Sequence, residues 1–306
     1  MLKLKRILLI APSEMAHTPA FERAHALACA TSSLLHIVAF DYVQALVIAG
    51  LLDHDAMAQA REGYLQVHRH WLEQQARFYR CDGLQVSTEV VWAKSSLTNL
   101  LEYVTDFHPD LVIKDTYYVP ALDRAFHRPL DWRLLRECPT HLHLVTSARN
   151  PKPLKILAAI DLSHLEELTQ GLNDRILNLA SILAASCGAS LHLLNVCRWS
   201  EISEAPMSVP TGTLDGSLRD AIEDAQQEAF DVLAERYCIK STRRHSLTGV
   251  PHKVIGLFAQ QNAFDIVVLG TVYHHGPDRF IGDTAESVLN RAPCSLMIVK
   301  PLRSSG

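Results

Sequence analysis

The chain has 306 residues, 48% hydrophobic and 20% charged, with 13 glycines and 14 prolines. This make-up excludes disordered, collagen-like and disulfide-scaffolded classes and leaves room for two domains. A formal net charge of -4 offers no basic field for a nucleic-acid backbone. Apolar stretches such as ALVIAGLL at 45–52 fall well short of the roughly 20 residues a spanning helix needs, so neither nucleic acid nor membrane is an expected partner.

From the N-terminus, MLKLKRILLIAPSE contains an apolar run, Ile7–Ala11, that is too short for a secretory signal and has no clean cleavage site after it. It predicts a buried first strand. The seven cysteines are odd in number and scattered without a CxxC, which fits free thiols in a reducing compartment and gives a cytoplasmic expectation.

Three segments then recur in order at nearly constant spacing. KRILLIA at 5–11 matches KILAAID at 155–161, an offset of 150 that pairs Ala11 with Asp161. PDLVIK at 109–114 matches FDIVVL at 264–269, and CPTHLHLV at 138–145 matches APCSLMIV at 292–299. The chain reads as one unit built twice, residues 1–148 and 149–306, joined in the polar, two-proline stretch SARNPKPLK at 147–155.

Within each half, short apolar runs alternate with helical patterns. The first half carries a long helix around Asp55–Tyr79. In the second half the predicted strands are KILAAID, ASLHLLNVC, a weaker one near STRRHSLTG, DIVVLG and CSLMIVK, with helices over 172–186, 217–237, 252–262 and 284–290. This alternation implies βαβ units and a mostly parallel, doubly wound α/β sheet in each half. The irregular stretch Arg198–Gly216 reads as a mobile loop over one sheet edge.

Open α/β sheets bind ligands beyond the carboxyl ends of their strands. In the second half those ends are Asp161, then Val196-Cys197, then Gly270-Thr271. A loop follows in which Gly270, Gly276 and Gly282 are six residues apart and Asp283-Thr284 opens a helix. Glycines let a backbone approach a phosphate, and a helix N-terminus supplies free amides. Asp161 is placed to hydrogen-bond a nucleoside. Asp283-Thr-Ala-Glu286 also reads as a capping box, in which Asp283 takes the amides a phosphate would use.

These residues resemble the universal stress protein family, closest to its tandem, E-type branch, over nearly the whole chain. The specific stretch is DIVVLGT…G…GDTAESVL…APCSLMIVKP, with GVP at 249–251, the first strand ending in Asp161, and WRLLRECP at 132–139 in the first half. The resemblance implies a five-stranded parallel sheet in each half, related to the adenine-nucleotide α-hydrolases. It also implies an ATP site, magnesium with the nucleotide, in the second half, and pairing of the two halves through their last strands, with a homodimer still open. The family's glycine pattern is met at Gly270 and Gly282, whereas Tyr273 stands at its second glycine and Asp283 at its Ser/Thr place. Asp161 and Val196 match positions that contact the nucleoside. In the first half Ala11 and Asp115 stand at the places of Asp161 and Gly270, and KDTYYVPALDRAFHRPLDW holds no glycine. No nucleotide is expected there; its role is as pseudo-symmetric partner or holder of a different ligand.

Of the sixteen histidines, His141 and His143 share one strand face, as in some zinc sites or simply by that strand's place in the fold with the rings against neighbouring polar groups. His68 and His70 are expected in solvent. His252, His274 and His275 lie on the site side of the second half, as exposed loop residues or as groups for a phosphate or a metal. Cys138 and Cys294 read as small buried hydrophobes and the four tryptophans as packing residues. No GxSxG, HExxH, P-loop or complete GxGxxG is present, and adjacent Ser163-His164 cannot form a triad. The expectation is a binding and regulatory protein acting on an unidentified protein partner, through nucleotide-dependent ordering of its loops. Any ATP hydrolysis would be slow for lack of a general base. The alternative is a nucleotide-independent scaffold with both sites degenerate.

Overall fold

The computed structural model describes residues 3–49, 54–81, 83–116, 129–146, 149–162, 171–197, 216–271, 283–290 and 292–301. It divides into two compact units, Met1–Lys152 and Pro153–Gly306. The first runs β1 (Arg6–Ala11), α1 (Pro19–Thr31), β2 (Leu34–Asp41), α2 (Gln44–Ala49), α3 (His54–Cys81), β3 (Val86–Trp92), α4 (Leu97–Phe107), β4 (Leu111–Asp115), α5 (Leu130–Glu137) and β5 (His141–Val145). The second runs β6 (Lys155–Ile160), α6 (Leu172–Cys187), β7 (Ser190–Cys197), α7 (Gly216–Arg236), β8 (Arg244–Thr248), α8 (Pro251–Gln261), β9 (Ile266–Gly270), α9 (Asp283–Leu289) and β10 (Ser295–Val299).

Within the first unit the strand order is β3-β2-β1-β4-β5, and within the second β8-β7-β6-β9-β10. The neighbouring strands pair in parallel. Each half is therefore the doubly wound, five-stranded α/β sheet expected of it. Parallel neighbours need crossovers, which the helices supply, and helices on both faces call for apolar side chains in both directions. That is why RILLIA in β1 and SLMIV in β10 are buried almost throughout. The apolar run at 45–52 contributes the short helix α2, and no helix among the described residues is long and apolar enough to cross a membrane.

One device recurs in both halves. The carboxylate of Asp110, just before β4, accepts the amides of Lys5 and Arg6 at 2.7 and 2.9 Å. Asp265, just before β9, does the same for Leu154 and Lys155 at 2.8 and 2.9 Å. Each carboxylate thus ties the start of the central strand to its neighbour. This pairs Arg6 with Lys155, an offset of 149, and corrects the sequence alignment: Pro12, not Ala11, is the counterpart of Asp161.

The first crossover helices differ in length. Both end in a left-handed residue, Ser32 and Gly188, and the following amides return to Ala28 and Ala184 at 3.0 and 2.8 Å. Measured from that shared end, α6 with 16 residues extends three residues further at its N-terminus than α1 with 13. The GVP segment has a local cause. Gly249 sits at φ 144°, where a Cβ would also come within 2.9 Å of Val254, and Pro251 opens α8. Those are the positions at which glycine and proline are favoured.

Candidate functional site

In each half the strand order reverses beside the central strand, between β1 and β4 and between β6 and β9. At such a reversal the flanking helices leave a crevice at the carboxyl ends.

In the second half the registers pair Ile160 with Asn195 and Ala158 with Val268. Continued to the rim, they set Asp161 level with Val196 on one side and Thr271 on the other. Three residues singled out by sequence thus share one level across three adjacent strands. Asp161 is exposed, whereas Val196 and Thr271 are buried. The Thr271 amide extends the ladder to Val299 O at 3.1 Å. Asn173 holds the main chain of Asp161 from both sides: its Nδ2 donates to Asp161 O at 2.8 Å and its Oδ1 accepts from Asp161 N at 3.3 Å. Sequence reasoning missed Asn173. Its signal was an amide side chain in the first turn of a helix that follows a strand end, a place where Asn bonds to nearby backbone.

Gly270 has a reason of its own. A Cβ there would meet Leu172 Cδ2 at 2.8 Å and Ile176 Cδ1 at 3.0 Å, so the first turn of α6 packs onto the bare backbone. Its glycine follows from helix–strand packing, which calls for a bare backbone whether or not a ligand binds. Asp283 is the first residue of α9 and Thr284 the second. The side chain of Asp283, with Gly276, Gly282, His274, His275, Trp199, Ser163 and His164, lies outside the described residues, as does the loop from Arg198 up to α7. His252, in the first turn of α8, is half-buried.

In the first half the same crevice is filled from within. Asp115, the counterpart of Gly270 at the end of β4, is buried. It accepts the Thr18 hydroxyl and, at 3.0 Å, the amide of Ala20 at the start of α1. Burial pushes its carboxyl above the ordinary value of 3.8, against the lowering effect of those bonds and of nearby Lys114. Beside it Thr116 donates to Asp131 at 2.6 Å, and Lys114 meets the other Asp131 oxygen at 2.9 Å. A protein carboxylate thus takes the helix N-terminus that an anionic group could otherwise use.

A second polar cluster lies at the ends of β2 and β3. His68, expected in solvent, is 3% exposed and pairs with the equally buried Asp41, which also accepts from Tyr64 at 3.1 Å. The correction follows from helix geometry, since His68 and Tyr64 are one turn apart on the inner face of α3, whereas His70 is exposed. Trp92 packs against Tyr42 and Tyr64. Cys138 and Cys294 are buried, as expected, and so are His141 and His143.

Residues 154–300 match the universal stress protein family. The chain is 29% identical over 254 residues to universal stress protein E of Escherichia coli K12, covering 82% of this chain and 79% of that protein. It is 30% identical over 145 residues to universal stress protein A homolog 1 of Coxiella burnetii, covering 47% of this chain and 94% of that protein. Among solved structures, a putative universal stress protein from Pseudomonas aeruginosa UCBPP-PA14 superposes with a TM-score of 0.73 at 26% identity, over 97% of this chain and 94% of that one.

Proposed function

This chain belongs to the universal stress protein family, and on that footing we propose that it is a regulatory binding protein whose second half holds a nucleotide, with ATP and magnesium the first pair to test. One observation carries this reading: Asp161, Val196 and Thr271 share one level beside the strand reversal. There, an exposed carboxylate suits the hydroxyls of a ribose, and an apolar strand end suits the face of a base. The loop glycines Gly276 and Gly282 and the helix start at Asp283-Thr284 would take the phosphate side; of these, Gly282 meets the family pattern, while Asp283 stands at its Ser/Thr place. Bound ATP supplies a charged, removable surface element, and the protein's output is what the occupied rim presents to a protein partner. The first half, with Asp115 in its crevice, serves as a structural counterpart.

Gly270 favours a second reading. Its lack of a side chain is already required by Leu172, so its match to the family's first glycine does not by itself argue for a ligand. A nucleotide-independent interaction protein is the result.

Calorimetry of the purified chain with ATP, with and without magnesium, separates the two. Under the first reading one site per chain is titrated, and Gly282→Glu and Asp161→Ala each weaken or abolish it. Absence of heat, together with absence of nucleotide released on denaturation, leaves the interaction protein.

A further inference from the structure

The first turn of α6 reaches four separate parts of the second half. Leu172 packs on Gly270 at the end of β9. Asn173 brackets the main chain of Asp161 after β6. Asp174 accepts from Arg236 and Tyr237 at the end of α7, both at 2.9 Å. Arg175 Nε donates to Lys300 O, just after β10, at 2.8 Å. This turn includes the three residues by which α6 exceeds α1. In the first half its place is taken by Asp115 and the Thr18–Ala20 start of α1.

We propose that Asn173 is the positioning residue of the candidate nucleotide site, fixing the backbone from which the Asp161 carboxylate is presented; the assignment rests on the nucleotide reading above. Asp161 lies one step past the end of β6, and its main chain offers one donor and one acceptor there. An Asn side chain carries both a donor and an acceptor and can serve the two at once. It does here with an anchor that is itself tied to three other elements. A carboxylate on a fixed backbone meets its ligand without a further ordering cost, and one on a loosened backbone bears that cost on binding.

The test is ATP calorimetry on the full chain carrying Asn173→Ala, Asn173→Ser, Asp161→Asn and the Asn173→Ala/Asp161→Asn pair, with melting temperatures of the unliganded proteins. Asn173→Ala is expected to weaken ATP binding about tenfold while shifting the melting temperature by no more than about 2 °C, since the two bonds lost are exposed. Asn173→Ser, which keeps one hydrogen-bonding group, should fall between it and the parent and serves if the alanine variant folds poorly. In the Asp161→Asn background, Asn173→Ala should add little, because its effect runs through Asp161. Unchanged affinity in the Asn173 variants, or an equal loss with and without the Asp161 carboxylate, overturns the assignment while the nucleotide reading stands. A parent protein that neither binds nor carries nucleotide overturns that reading, and the assignment with it.

Discussion

At the end of the fourth strand of each half the same backbone carries opposite solutions. The first half has Asp115, whose carboxylate turns inward to Thr18 and to the amide of Ala20. The second has Gly270, over which Leu172 and Ile176 close. The two are one difference seen from both ends: a helix that starts early needs a strand end without a side chain, and one that starts late leaves room for a carboxylate to cap it. Strand order and the aspartate anchor are shared. The halves therefore diverge in how the crevice is filled, while what builds the sheet is kept. A buried carboxylate at one strand end and a packed turn beside the other set the two crevices apart, and the proposed nucleotide site lies in the second.

The most damaging way to break the comparison is to give the second half the first half's residue. Gly270→Asp must place a Cβ within 2.8 Å of Leu172 Cδ2 and a carboxylate beside it. Overpacking of this kind costs about 1–3 kcal/mol, and the unpartnered charge adds to it. A loss of about 3 kcal/mol or more is expected, together with loss of ATP binding. Peptide-resolved hydrogen exchange should show faster exchange in β6 to β10, with β1 to β5 unchanged. Gly270→Ala isolates the steric part, at about 1–2 kcal/mol. A fully stable Gly270→Asp variant would show that the α6 turn is not what requires the glycine.

The shared anchor sharpens the comparison from the other side. Asp110 and Asp265 each accept two amides, but only Asp265 is buried. Removing a buried charged acceptor leaves its donors without a substitute, at about 2–3 kcal/mol, whereas water can replace an exposed one. Urea unfolding of Asp265→Ala should accordingly show the larger loss, with Asp110→Ala nearer 1 kcal/mol. Equal losses would mean that the two anchors have the same solvent access.

Much of this frame was legible in the sequence because it rests on periodicity. Nine elements of the second half were expected, and each was found within a residue or two of its predicted bounds, apart from β8, whose span is shorter than the segment read for it. What the sequence withheld depended on register. An offset of 150 counted from matching letters sets Ala11 against Asp161, and the amides bound by Asp110 and Asp265, together with the strand registers, move the match to Pro12. His68 was misread because a pair two apart on a helix shows that one member faces away from the other, not which faces in; Asp41 decides that from another element. At the site, Asp161, Val196 and Thr271 followed from a general rule about strand ends. Asn173 and the packing cause of Gly270 depend on how far α6 extends, which no short motif encodes.

A titration separates the halves more gently. His192 on β7 bonds to His245 on β8, Nδ1 to Nε2 at 3.1 Å. Burial, then the charges of His245, Arg243 and Lys155, bring His192 from 6.5 down to about 4. Its counterpart on β2, His36, is also lowered by burial, but Glu89 pulls the other way. A histidine whose folded value is depressed takes its proton more readily when unfolded. Its contribution is therefore present above 6.5 and lost as pH falls towards 4. With screening at a half-exposed site the loss is about 1–2 kcal/mol. Between pH 6.5 and 4.5 the second half should lose exchange protection more steeply than the first, and His192→Phe should remove most of that slope. Parallel slopes in the two halves would count against the His192 shift.

The smallest effect concerns the plug itself. Most paired carboxylates sit below their ordinary value and lose their contribution as pH falls; Asp115 is raised by burial, so its sign is reversed. The folded chain holds that proton more tightly than the unfolded chain does. The stability it gives is full below about 3.8 and is lost as pH rises through the folded value. Asp115→Asn fixes the group in an uncharged form of the same shape, still able to accept from Thr18 or Ala20. Relative to this variant, the parent should become less stable on going from pH 3.5 to 7, by a small amount since the bonds from Thr18 and Ala20 favour the charge. The difference should then stay constant above the folded value. A difference that grows in the parent's favour over that range would mean that the two bonds outweigh burial. The first-half crevice would then be a site made for a negative charge, its own carboxylate being the one that fills it.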